Sequence, residues 1–308
     1  AQYHLGGILL FGRDFKDGAD NWLTEEQLRE TLDSYQAAAE IPLLMGVDEE
    51  GGSVARASRN PNLFPKKCSA PQTLFARGGM DAIRDDALSK NTRLLELGIN
   101  VNFAPVADVS TDPGDFIYDR TLGQDAQATA DYVRTVVEQM NAAGVGAVLK
   151  HFPGYGSNVD THTGIAVDQR PLEQFRSADF LPFSAGIQAG AGSVLVSHNV
   201  VTAADDQLPA SLSPAVHQLL REELGFTGVI LTDDLAMDAV EAYAQDGSVA
   251  VLAVLAGNDM VVTTDFQTQI PLVLDAVAEG TIPEALLDEA VGRVLGWKYD
   301  LGLLEDKS

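Results

Sequence analysis

A chain of 308 residues, 45% of them hydrophobic, can bury a large core, and its 45 Asp and Glu against 20 Lys and Arg give a net charge of -25. That surplus repels nucleic acid and anionic membrane surfaces, so neither is an expected partner. A single cysteine, Cys68, excludes an intrachain disulfide and reads as a small packed side chain.

The chain opens on AQYHLGGILLFG, a turn leading into a strand over 6–11. No secretory leader and no apolar run of membrane-spanning length is read, so a soluble chain is expected, cytoplasmic or extracytoplasmic. A helix follows over 24–40, where Thr24 and Gln27 have capping-box spacing. Strands are predicted over 41–47, 99–109, 146–152, 192–198, 227–233 and 258–264. Helices are predicted over 80–97, 124–143, 171–189, 212–225, 248–256, 268–279 and 283–299. Val, Ile and Leu occupy both alternating positions of these strands, the pattern of strands covered on both faces. Strands that alternate with helices predict an α/β fold with a parallel sheet, here one domain over 1–308. Seven strands fall one short of a closed (β/α)₈ TIM-like barrel, so the expectation is a barrel that lacks or replaces its first strand.

The chemistry lies where the strands end. IPLLMGV runs into Asp48 and Glu49, INVNFAPVA into Asp108, GAVLK into Lys150 and His151, GSVLVS into His198 and Asn199, and TGVILT into Asp233 and Asp234. In a barrel these carboxyl ends share one face, where such folds keep their active sites. An Asp at a strand end also serves as a helix cap, the reading preferred for Asp234. Capping has no use for a lysine and two histidines. Asp233 ends an apolar strand and is placed to attack a carbon as an ionised carboxylate. In KHFPGYGSNVDTHTG, a Gly/Pro-rich loop delivers Asp160 and His162 two positions apart. Asp160 can fix the imidazole's tautomer, and a histidine so held can donate a proton to a leaving oxygen and later deprotonate water. The same pair could equally serve only to order the loop.

KHFPGYG with DTH, the run around GVILTDDLA, VDEEGGSVAR and NFAPVADV together resemble family 3 glycoside hydrolases, in particular the β-N-acetylglucosaminidase branch. The resemblance covers nearly the whole chain. It implies Asp233 as nucleophile, Asp160 and His162 as the acid/base dyad, and Lys150, His151, Asp48 and Arg120 as sugar-binding residues. It implies no cofactor and no metal, and an N-acetylglucosamine-containing oligosaccharide of peptidoglycan or chitin type as substrate. Departures are Tyr155 where many relatives have His in PGHG, Ser53 where the usual motif reads GGRV, and a loop one residue shorter before Asp160. Relatives also carry a strand and helix ahead of GGILLF. Phe116, Tyr118 and Tyr155 could offer ring faces to a sugar, although loop packing suits Phe116 better. Because a histidine base repels an incoming anion less than a carboxylate does, phosphorolysis is a second possible outcome. The residues are also compatible with an inactive sugar-binding barrel, with a broad family 3 β-glucosidase, and with a metal-dependent hydrolase using His151, Asp160, His162 and His198.

Overall fold

The computed structural model describes residues 2–157, 166–237, 240, 243 and 248–304. Six strands form one sheet in the order β1-β2-β3-β4-β6-β8: β1 (Gly7–Leu10), β2 (Leu44–Val47), β3 (Val101–Asn102), β4 (Gly146–Phe152), β6 (Ser193–Val196) and β8 (Val229–Thr232). Every pairing in it is parallel. A two-stranded parallel ribbon, β5 (Val167–Asp168) with β7 (Val200–Val201), stands apart.

The curl of the sheet follows from its period-2 burial. Leu44, Val101, Val148, Leu195, Val229 and Leu231 point to one side and meet in a single cluster. Their neighbours Met45, Val47, Ala147, Leu149, Val194, Val196 and Ile230 point the other way, into clusters shared with the helices. Residues from five successive strands can share one interior only if the sheet rolls around it. Leu9 of β1 and Met260, beyond β8, pack on the same cluster. Met260 forms a parallel bridge with Leu231, and a Cβ on Gly6 would lie 3.1 Å from its Cε. The two margins of the half-barrel therefore approach each other.

Outside lie α1 (Glu25–Ala38), α2 (Pro71–Glu96), α3 (Ala126–Ala143), α4 (Phe180–Gln188), α5 (Pro214–Gln218), α6 (Val249–Ala256), α7 (Phe266–Ala278) and α8 (Glu284–Asp300). The predicted capping box at Thr24 is formed in both directions. α2 begins well before the predicted helix because Pro71 starts it at a position where no amide donor is needed, and it bends at Gly78 and Gly79. Prediction differed most at two strands. In 99–109 only Val101–Asn102 is regular, since Pro105 has no N–H to give a ladder. In 258–264 only the Met260 bridge forms.

α8 carries Trp297 to the amino-terminal end of the strands. Cβ atoms on Gly146 and Gly192 would lie 2.8 Å and 2.0 Å from its indole. Glycine there makes room for the ring, which covers the amino-terminal end of the sheet. Among the described residues no helix is long and apolar enough to cross a membrane.

Candidate active site

Strand ends and the loops that follow them supply the site. β2 leads into Asp48 and Glu50, β4 ends through Lys150 and His151, and the Tyr118–Arg120 turn brings in Arg120. Lys150 Nζ donates to Asp48 Oδ1 and Glu50 Oε1, each at 2.6 Å. Arg120 grips Glu50 with two donors, Nε to Oε2 at 3.0 Å and Nη2 to Oε1 at 2.7 Å. Glu50 is thus a buried carboxylate shared by two cations. Burial alone would push its carboxyl up, but Arg120 and Lys150 outweigh that and hold it far below the usual carboxylate range. Lys150 is kept charged by Asp48 and Glu50 against its own burial.

The His151 ring is fixed from both sides. Nδ1 lies 2.7 Å from Asp108 Oδ2, and Nε2 lies 3.0 Å from Arg120 Nη2. Arginine has no acceptor, so Nε2 accepts and the ring proton sits on Nδ1, donated to Asp108. Asp108 also receives the His151 amide at 3.2 Å and the Tyr155 amide at 2.7 Å. Tyr155 is buried edge-on to His151, with ring centroids 5.5 Å apart, and Phe116 leans on it at 5.7 Å.

Asp233 follows β8. Its amide donates to Val196 O of β6 at 3.1 Å, and its Oδ1 accepts the Asp234 amide at 2.8 Å. Burial opposes ionisation here, but His198 and His151 in their protonated forms, the Asp234 amide and the Lys150 ammonium pull the carboxyl below its ordinary value. Asp234 turns its own carboxylate onto the Ala236 amide at 3.0 Å, a bond within a local turn. His198 Nε2 lies 3.0 Å from Asp234 O, and its Nδ1 lies 2.8 Å from Ser211 Oγ. A carbonyl only accepts, so Nε2 carries the proton and His198 holds the Asp234–Leu235 peptide.

The structure therefore gathers Asp48, Arg120, Lys150, His151 and Asp233 at one end of the sheet. Asp160 and His162 lie outside the described residues. Glu50 and Asp108 have no role assigned from sequence alone, and His198 enters only the metal-ligand alternative. All three stand at or just beyond strand ends, which is a visible signal. Their partners were not visible, because contacts such as Glu50 with Arg120, Asp108 with His151 and His198 with Asp234 join residues 36 to 70 positions apart. Among the described residues, no three or more His, Cys, Asp and Glu side chains gather as metal ligands.

Such a site can hold a hydroxyl-rich ligand through Asp48, Lys150, Arg120 and His151 while presenting an ionised carboxylate to it. The glycosyl hydrolase family 3 N-terminal domain matches residues 1–296. A β-hexosaminidase of Xanthomonas campestris pv. campestris (strain B100) is 34% identical over 306 residues, covering 98% of this chain and 89% of the relative. The solved structure of a family 3 β-N-acetylglucosaminidase from Paenibacillus sp. str. FPU-7 matches with a TM-score of 0.89 at 31% identity. That match covers 99% of this chain, which spans 60% of the Paenibacillus chain. A β-N-acetylhexosaminidase from Beutenbergia cavernae DSM 12333 matches with a TM-score of 0.82 at 29% identity, covering 96% of this chain and 90% of that one. The matched region includes every strand whose end supplies a site residue, and the chain belongs to glycosyl hydrolase family 3.

Proposed function

We propose that the protein is a retaining β-N-acetylhexosaminidase that removes terminal N-acetylglucosamine from peptidoglycan- or chitin-type glycans. The observation that carries this reading is Asp233. It follows β8 at the carboxyl end of the sheet, and its surroundings, Lys150 and His151 among them, hold its carboxyl below its ordinary value. The substrate class is supported by the names of the relatives and by the DTH segment of the sequence.

In the proposed reaction Asp48, Lys150, Arg120 and His151 hold the sugar's hydroxyls. One Asp233 oxygen attacks the anomeric carbon, forming a glycosyl–aspartate ester, while His162, oriented by Asp160, protonates the departing glycosidic oxygen. His162 then takes a proton from water, whose oxygen attacks the same carbon and releases Asp233, and configuration is retained. A histidine suits both roles near neutral pH, because no carboxyl needs its affinity for protons raised.

The test is release of p-nitrophenol from its β-N-acetylglucosaminide by wild type, Asp233→Ala and His162→Ala, with and without phosphate and EDTA. Expected are loss of turnover in Asp233→Ala, a fall of roughly 10²-fold or more in His162→Ala, and indifference to EDTA. Turnover that persists in Asp233→Ala would overturn the assignment. A rise with phosphate, with a sugar phosphate as product, would replace hydrolysis by phosphorolysis.

A further inference from the structure

We infer that Arg170 is a positioning residue for the acid/base, a staple joining the two ends of the segment that carries Asp160 and His162. The inference rests on the acid/base reading of those two residues. Arg170 follows the segment in sequence, yet its Nη2 donates at 3.2 Å to the carbonyl of Gly154, which precedes it. The same guanidinium binds Asp168 through Nε at 2.9 Å and Nη2 at 2.7 Å, and Asp179 through Nη1 at 2.9 Å. Both carboxylates are 2% exposed, so the fork is held in an enclosed frame. It also lies over the Phe175 ring, 4.2 Å from the centroid.

Each end of the staple is anchored. On the far side, Asp168 belongs to β5, and its carbonyl receives the Thr202 amide at 3.0 Å. On the near side the chain is pressed against the clamp. A Cβ at Gly154 would stand 2.3 Å from Asp179 Oδ1, and one at Gly156 2.6 Å from the Arg170 guanidinium carbon. Both glycines have positive φ, 123° and 55°, so only glycine meets both demands. Between them, Tyr155 donates its amide to Asp108, the carboxylate that holds His151. The root of the segment is thus tied to the sugar-holding residues on one side and to Arg170 on the other.

Proton transfer to a leaving oxygen depends steeply on where the acid is held, while attack by Asp233 does not depend on this segment. Loosening the staple should therefore harm only reactions that need the acid. Lysine cannot replace arginine here, because one ammonium cannot span three partners in a planar fork.

The experiment compares kcat/KM on two β-N-acetylglucosaminides: the 2,4-dinitrophenyl glycoside, whose leaving group departs without a proton, and the β-1,4-linked N-acetylglucosamine disaccharide, whose leaving group needs one. Arg170→Lys is measured beside wild type, His162→Ala and Asp233→Ala. An Arg170→Gln/Asp179→Asn pair, which leaves fewer buried charges unmatched, guards against misfolding. Expected for both Arg170 variants is a loss of roughly tenfold or more on the disaccharide with the dinitrophenyl glycoside changed by less than about threefold. Equal losses on both substrates, or no loss, would overturn the staple if His162→Ala still shows the split. Absence of the split in His162→Ala itself would overturn the acid/base reading, and the staple with it.

Discussion

At the scale of single residues, Glu50 has the clearest energetic consequence. Its carboxylate is the common partner of Arg120 and Lys150, both largely enclosed. Glu50→Gln would take from Arg120 its paired carboxylate and leave Lys150 with Asp48 alone, and removing one partner of a buried pair costs about 3–5 kcal/mol. We expect that loss in a urea titration at neutral pH, together with a raised KM if Arg120 and Lys150 hold the substrate as proposed. The pH dependence has a definite sign. Glu50 is held below its ordinary value of 4.5, so its contribution is complete above that pH and is lost as pH falls toward the folded value. The acid limb of wild-type stability should therefore be steeper than that of Glu50→Gln, and matching slopes would refute it. Sequence showed Asp48, Arg120, Lys150, His151 and Asp233 as candidates because strand ends and motifs mark them. It did not show that Glu50 binds two of them together, since that depends on side-chain reach across separate strands.

At the scale of elements, α8 shows how a helix completes a sheet. Trp297 fits over glycines at the starts of β4 and β6 and joins the interior cluster. Trp297→Ala should cost about 3–5 kcal/mol, as large core deletions do. Calorimetry would show it as a lowered Tm, and an unchanged Tm would mean that the base of the sheet needs no plug. The helix itself was legible over 283–299 from its pattern. Its place under the strands was not, because the two glycines give no periodic signal. Similar limits explain the remaining differences. The apolar pattern cannot report that the predicted helix over 212–225 widens into a π-turn at Leu219–Glu223, or that Pro105 interrupts its strand.

At the scale of the whole molecule, the parallel α/β class was readable from strands apolar on both faces, and the half-barrel curl became visible only when their inner residues met in one cluster. The net charge of -25 acts on this scale too. Self-repulsion disfavours the compact state, and salt screens it over about 8 Å at physiological ionic strength. Tm should therefore rise as sodium chloride increases from about 10 mM toward about 1 M, and a flat or falling Tm would show that local ion pairs dominate. The two tryptophans stand in unlike surroundings: Trp297 is 6% exposed inside the sheet, while Trp22 is only partly buried, with the Lys16 ammonium 4.8 Å from its ring centroid. Intrinsic fluorescence is therefore a natural gauge of this fold. A red shift on denaturation follows the indole that leaves the interior when the strands part, and it registers that event whether or not the candidate site is occupied.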